Sequence, residues 1–351
     1  MIKKYPYKSH KEFLELRRHL QGRDTNDQYR IGGSNIATIY SNGDKIGANE
    51  YASPTVFFFS ECGFHVREDI QSLPMSRGNV QEPVIFENYW KLTDPEHPVP
   101  EAWLNNFHGE KIEYRTAKKA NAIYVNDKYP WIAVSPDYIF PMSKYNPRGV
   151  LELKSPTSRA IEKWEAGTPV AYVVQTYAQM LVLGLGYGEL FQVVDATEPQ
   201  LFQFHENKGI EKNIIDSSKD FVERVLAGKK IVYGIGTELQ KEQALAKLAP
   251  VDDGSPFYTQ FLKERHKPEN AKATVPGTGE QLELVLKYLR QKAKIGVADR
   301  SLLRKENIIR GWFSGGIGSI DFGDLGKIGW VDKLSVNKNI LKKYNLNEDP
   351  T

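Results

Sequence analysis

The hexapeptide GVLELK, residues 149–154, constrains the chain more than any other stretch. Successive side chains of a β-strand point to opposite faces. Leu151 and Leu153 then share one face, which needs a core, while Glu152 and Lys154 share the other, which needs a polar cleft. Just upstream, IAVSPDYIF predicts a strand that ends where Ser135-Pro136 turns the chain, leaving Asp137 beside it. Adjacent strands lie ~4.8 Å apart, so Asp137 and Glu152 can approach each other across the turn.

Other segments supply the rest of a layered α/β domain. AIYVND and IAVS predict two strands joined by a short turn, and ELFQVVD and LFQFHE predict two closing strands. HKEFLELRRHL has helical spacing. In YRIGGSNIATIY the glycine pair turns tightly and Ser34 is expected to cap a helix. SPTVFFFSECGF predicts another helix, opened by Ser53-Pro54. MSRGNVQEPVIFENYWKL predicts a helix with Pro83 near its first turn or at a kink, and Glu82 beside it. PVAYVVQTYAQMLVLGL predicts a helix whose Tyr172, Gln175 and Gln179 form one stripe, with Tyr177 opposite. IEKNIIDSSKDFVERVLAGKK predicts a helix stopped at Gly228. Beyond about residue 235 the composition changes. TELQKEQALAKLAPVDDGSPF is loosely patterned, GEQLELVLKYLRQKAKI and DRSLLRKENIIRGWF predict helices, and GGIGSIDFGDLGKIGWVDK predicts a hairpin.

The chemistry follows from the acids. Two carboxylates held close repel unless a proton or a cation lies between them. A hard divalent ion such as Mg2+ takes oxygen ligands and removes the repulsion. A neighbouring ammonium suits chemistry on an anion, where it positions water or meets charge growing on a phosphate. A lone Glu-x-Lys on a strand is ordinarily a surface ion pair, and a lone Glu82 an exposed helix acid. The glutamine stripe in an apolar helix demands partners, either core hydrogen bonds or an orienting role at a site.

Composition sets the bounds. The chain has 351 residues, 40% hydrophobic and 26% charged, as expected of a globular protein of about two domains. A net charge of +3 does not mark the whole surface as a polyanion binder. The single cysteine, Cys62, excludes an intrachain disulfide and fits a reducing compartment; it is expected to be a buried thiol. The start MIKKYPYKSHKEF lacks the apolar run of a signal peptide, and AYVVQTYAQMLVLGLGYG is too short and polar to span a membrane.

In their order, an early acid, SPD, E-x-K and a downstream glutamine resemble the PD-(D/E)xK nucleases. More closely, RIGGSNIATI, MSRGNVQEP, SPDYIF, LELKSPTSR and AYVVQTYAQM resemble the five successive motifs of the YqaJ-type viral recombinase nucleases, relatives of lambda exonuclease, over roughly residues 10–205. Tyr138 stands where that family usually has glycine, and Tyr177 replaces the second glutamine of its helix. The resemblance implies an α/β restriction-endonuclease-like core with a mixed central sheet flanked by helices over residues 1–235, and a C-terminal helix-and-hairpin module over 236–351. It implies a Mg2+-dependent nuclease, with Mn2+ as a substitute, acting 5′→3′ on linear duplex ends in recombination. Glu82, Asp137, Glu152 and the Leu153 carbonyl would hold metal, Lys154 would position or activate the attacking water and Gln175 would support the site. Arg30 and Ser34 would bind a terminal 5′ phosphate, with Ser135 and Arg159 beside the DNA strand. By the same analogy the implied setting is the cytoplasm of a bacterium or phage-infected host. A single-strand annealing protein and a homotrimer are the implied partners, with no membrane. Two alternatives stand beside it, an endonuclease or nickase of defence or repair, and a catalytically silent DNA-binding scaffold. Because every motif precedes residue 240, truncation there is expected to leave a folded core.

Overall fold

The computed structural model describes residues 1–22, 25, 27–42, 45–47, 52–65, 73–93, 117–141, 147–157, 169–195, 198–250, 254–266, 273–294, 300–313, 317–322, 327–329 and 335–336. The chain divides into two compact units, residues 1–49 with 66–230 and residues 50–65 with 231–351.

The elements of the first unit are β1 (Ile2–Pro6), α1 (His10–Leu20), β2 (Ile31–Gly32), α2 (Gly33–Ile39), β3 (Ser41–Asn42) and β4 (Lys45–Ile46). After α3 (Pro54–Glu61), which belongs to the second unit, follow α4 (Leu73–Thr93), β5 (Lys118–Lys119), β6 (Ala122–Asn126), β7 (Tyr129–Val134), β8 (Tyr138–Phe140) and β9 (Gly149–Lys154). Then come α5 (Val170–Leu183), β10 (Tyr187–Val194), β11 (Glu198–His205) and α6 (Lys208–Tyr233). A four-stranded sheet has the order β1-β6-β7-β2, and a five-stranded sheet the order β11-β10-β9-β8-β5. Both are mixed. β9 runs antiparallel to β8 and parallel to β10. A parallel pair needs a crossover, and α5 provides it, ending at Gly184 in the left-handed conformation (φ 62°). This is the mixed sheet with flanking helices expected from the sequence.

Two helices sandwich β9. On one face Leu151 and Leu153 pack with Ile85 and Tyr89 of α4 and with Phe191 and Val193 of β10. On the other, α5 packs against β9 and β10, and also against β6, β7 and α2. The polar face of β9 is therefore covered, not open as a cleft. α1 closes the four-stranded sheet, where Leu20 packs with Ile123, Val125 and Ala133.

Several local expectations change. Residues 2–6 form a strand, β1, because β6 offers an edge that pairs Ile2–Pro6 with Asn126–Ala122. α2 begins at Gly33 with Gly32 as its cap, so Ser34 lies exposed in the first turn and caps nothing. Pro83 lies in the interior of α4, because that helix starts earlier than expected, at Leu73. α6 continues through Gly228, which is buried on the same helix as Phe221 and Val225. A glycine costs a helix about 1 kcal/mol relative to alanine, less than such packing returns.

The second unit adds α7 (Glu238–Ala246), α8 (Pro256–Arg265), β12 (Ala273–Pro276), α9 (Gly279–Lys294), α10 (Arg300–Gly311), β13 (Ile317–Asp321), β14 (Lys327–Gly329) and β15 (Ser335–Val336). Its sheet runs β12-β13-β14-β15 and contains the expected hairpin as the antiparallel pair β13–β14. α7 falls in the stretch expected to be loose. The missed signal is the capping box of Thr237 and Gln240, in which side chain and backbone bond reciprocally. Val285 and Leu289 of α9, Ile309 of α10, Phe313 and Ile320 form one core. α3 joins this unit through Phe59, whose ring stacks on Phe261 of α8 at 5.3 Å.

Truncation after residue 240 removes Phe261 and leaves the buried face of α3, with Phe57, Phe58 and Phe59, without that cover. The truncated chain is expected to bind the apolar dye ANS far more strongly than the full chain. Equal dye binding would show that α3 does not depend on α8.

Candidate active site

Glu152 is 2% exposed, and a buried carboxylate needs donors on both oxygens. Lys154, two positions along the same strand face, donates to Oε1. Gln175 donates to Oε1 at 2.5 Å, and Gln179, one helical turn further, donates to Oε2 at 2.7 Å. The Lys154 ammonium also stands 5.1 Å from the centroid of the Tyr172 ring. The stripe of Tyr172, Gln175 and Gln179 thus meets Glu152 and Lys154 as a set. Tyr177 faces away and donates to the His205 carbonyl at 3.0 Å.

Asp137 is held at the β7–β8 turn. Its Oδ2 accepts the Leu153 N–H at 2.8 Å, and its carbonyl accepts the Ala120 N–H at 3.0 Å. Burial pushes the Asp137 carboxyl well above the usual carboxylate range, and the Glu152 charge pushes it further, with Glu82 adding a smaller push. Lys154 and the Leu153 N–H act in the opposite sense. For Lys154 burial opposes the charge, but the Glu152 and Asp137 carboxylates outweigh it and hold the ammonium protonated beyond the usual lysine range.

Glu82 is placed differently from its expected partners. On α4 its Oε1 lies 2.9 Å from the Lys119 ammonium of β5. Phe86, one turn on, stacks face to face on Tyr138 at 3.9 Å and anchors α4 to β8. Among the described residues, no three His, Cys, Asp or Glu side chains gather closely enough to share an ion. The donor set nevertheless fits a hard cation. It is all oxygen, and a cation would relieve the Glu152–Asp137 repulsion that now raises the Asp137 pKa. The N–H and C=O of one strand residue point to the same side, so the Leu153 carbonyl shares the edge that faces Asp137.

Gln175 and Gln179, which hold Glu152, also wall a cavity of about 170 Å³ together with Arg17, Gln21, Ser34 and Ser135 among others. Ser135 Oγ donates to the Ala122 carbonyl at 3.1 Å and lies 3.3 Å from the Tyr7 hydroxyl. Arg30 ties this region together from outside, its guanidinium donating to the carbonyls of Leu20 and Pro130, both at 2.9 Å. Arg159 lies outside the described residues.

Residues 12–186 match the family model of the YqaJ-like viral recombinase domain. The chain belongs to the YqaJ-like viral recombinase family. Two solved structures are similar to it: the alkaline exonuclease LHK-Exo from Laribacter hongkongensis and LHK-Exo in complex with dAMP. The first has a TM-score of 0.42 and 15% identity, over 63% of this chain and 95% of that one. The second has a TM-score of 0.44 and 15% identity, over 67% of this chain and 100% of that one. No curated protein matches the chain. Among the described residues no helix is long and apolar enough to cross a membrane.

The YqaJ-like domain contains every sequence-derived site residue, from Arg30 to Gln175. The structure brings Asp137, Glu152, Lys154 and Gln175 together, and sets Glu82 beside them on Lys119. Sequence reasoning gave the Gln175–Gln179 stripe a core or orienting role but named only Gln175 as a site residue. It passed over Lys119, which sits in a strand too short to show a period, and Arg17, whose helix was legible but whose facing was not.

The Asp137 shift has a sign that can be checked. Its folded pKa is raised, so the group contributes stability that is present below the unfolded carboxylate pKa, about 4, and is lost as pH rises through the folded value. Asp137→Asn keeps an oxygen for the Leu153 N–H and removes the titration. In EDTA, the wild type is expected to lose unfolding free energy relative to Asp137→Asn as pH rises above about 4. Parallel stability–pH curves from urea unfolding would contradict the assigned strain.

Proposed function

We propose that the chain is a metal-dependent DNA exonuclease that degrades linear duplex 5′→3′ and leaves a 3′ single strand for recombination. What carries this reading is the grouping of Asp137 with Glu152 and Lys154 in a recombinase-family domain, with two glutamines fixing the acid. Asp137, Glu152, Glu82 and the Leu153 carbonyl would hold Mg2+, or Mn2+ in its place. Bound there, the ion would polarise the scissile phosphate and lower the pKa of water.

The protein's own groups do the remaining work. Gln175 and Gln179 hold Glu152 in position by donating to both its oxygens. Lys154, kept charged by Glu152 and Asp137, orients the attacking water and meets charge that grows on the phosphate. Leu153 N–H fixes the rotamer of Asp137. The cavity walled by Gln175 and Gln179 is the proposed seat of the terminal 5′ phosphate, with Ser34, Ser135 and Arg17 also in its wall. Arg30 then acts by holding the Leu20 and Pro130 backbones and by offering the rest of its fork to the phosphate. Arg159 is proposed beside the DNA strand on the family resemblance alone.

The deciding experiment is digestion of end-labelled linear and circular duplexes with and without Mg2+. Loss of label from linear DNA alone, only with Mg2+, is expected. Cleaved circles would make the chain an endonuclease or nickase, and tight binding without any cleavage a scaffold. Asp137→Ala is expected to abolish cleavage while DNA binding survives. Lys154→Ala is expected to lose on the order of 10²-fold in rate while calorimetry still detects Mg2+.

The phosphate pocket makes a separate prediction. Linear duplex with 5′-phosphorylated ends should be digested faster than the same duplex with 5′-hydroxyl ends, by release of acid-soluble nucleotides. Arg30→Ala and Arg17→Ala should narrow the difference. Equal rates on both ends for the wild type would remove the pocket and leave the metal chemistry standing.

A further inference from the structure

Lys119 is the one ammonium besides Lys154 that the described residues set against a proposed metal ligand. Its Nζ lies 2.9 Å from Glu82 Oε1, with the lysine side chain 48% exposed and the glutamate 23%. The placement is built rather than incidental. β5 pairs with β8 in register, Lys119 opposite Tyr138, one residue from Asp137. The next residue, Ala120, donates its N–H to the Asp137 carbonyl. Tyr138 in turn stacks on Phe86, which fixes the turn of α4 that carries Glu82. β5 is the edge strand of its sheet, so the lysine reaches Glu82 from the solvent side.

An ammonium on a carboxylate excludes a divalent cation from that oxygen. When the cation takes Glu82, the ammonium must leave that oxygen, and a phosphate of bound DNA offers it a new counter-charge. We propose that Lys119 is an exchangeable counter-ion that couples metal binding to DNA binding: it neutralises Glu82 in the metal-free protein and moves to a backbone phosphate when Glu82 takes the metal. This rests on the nuclease reading above. By linkage the two ligands then assist each other, because each is bound more tightly once the other has released or captured Lys119. Lys118, its exposed neighbour on β5, is on the opposite side of the strand and supplies the control.

The test uses the full chain and two readouts besides cleavage. Calorimetry with Mg2+ alone compares the wild type with Lys119→Gln. Without the competing ammonium, Lys119→Gln is expected to bind Mg2+ roughly two- to fivefold more tightly, the range of an exposed ion pair. Fluorescence anisotropy then measures duplex DNA binding over a salt series, with and without Ca2+, on ends protected by phosphorothioate links. One lysine–phosphate contact is worth about 0.9 in the slope of log K against log salt. Lys119→Gln is expected to lose about that much slope with Ca2+ and none without it, Lys119→Arg to keep the slope, and Lys118→Gln to show no dependence on Ca2+. An unchanged Mg2+ affinity in Lys119→Gln, or a slope lost equally with and without Ca2+, would overturn the exchange while leaving the nuclease reading intact. A wild type that binds no Mg2+ would overturn both.

Discussion

A carboxylate buried inside the first unit organises what surrounds it. Glu152 has almost no contact with water, and its own ladder bonds are committed to neighbouring strands. Its charge must be met by side chains. One comes from the same strand, Lys154, and two come from α5, Gln175 and Gln179. Those two amides, one turn apart, fix the rotation of α5 about its axis. α5 in turn packs on β6, β7, β9, β10 and α2. Removing one donor from a buried charge costs more than a neutral hydrogen bond, because the charge remains and the water does not return. The orientation of the helix that ties the two sheets together thus depends on one acid.

The two faces of β9 divide the labour. Leu151 and Leu153 face α4 and anchor the strand by burial. Glu152 and Lys154 face α5 and are anchored by hydrogen bonds. Asp137 is held by backbone groups, its carboxylate by the Leu153 N–H and its carbonyl by the Ala120 N–H.

Much of this was legible in the sequence, for identifiable reasons. The alternation of GVLELK set its two faces, and helical spacing grouped Tyr172, Gln175 and Gln179 on one stripe. Both are local rules. What covers the second face of β9 is a tertiary fact, so the expected cleft turned out to be a buried amide network. Ser34 was expected to cap α2, but the chain turns into helix one residue sooner, at Gly33. Gly228 was expected to stop α6, yet burial on the packed face carried the helix past it. Lys119 left no trace, because a two-residue strand has no period and its partner Tyr138 is set only by the register of β8.

The order of the four-stranded sheet has a further consequence. β1 and β2 come from the first 32 residues and form its two edges, while its centre is β6 and β7, residues 122–134. Ile2 pairs with Asn126, and Ile31 with Ile132. Such distant pairings pay their loop-closure entropy before any contact returns it, and they form slowly. As the chain leaves the ribosome, both early strands wait with open edges until the β6–β7 hairpin has emerged. Ser34 and Arg17 wait with them, because Ser135 and Gln175 complete the cavity wall from the far side. A nascent chain therefore cannot close this cavity until synthesis has passed residue 175, well into α5.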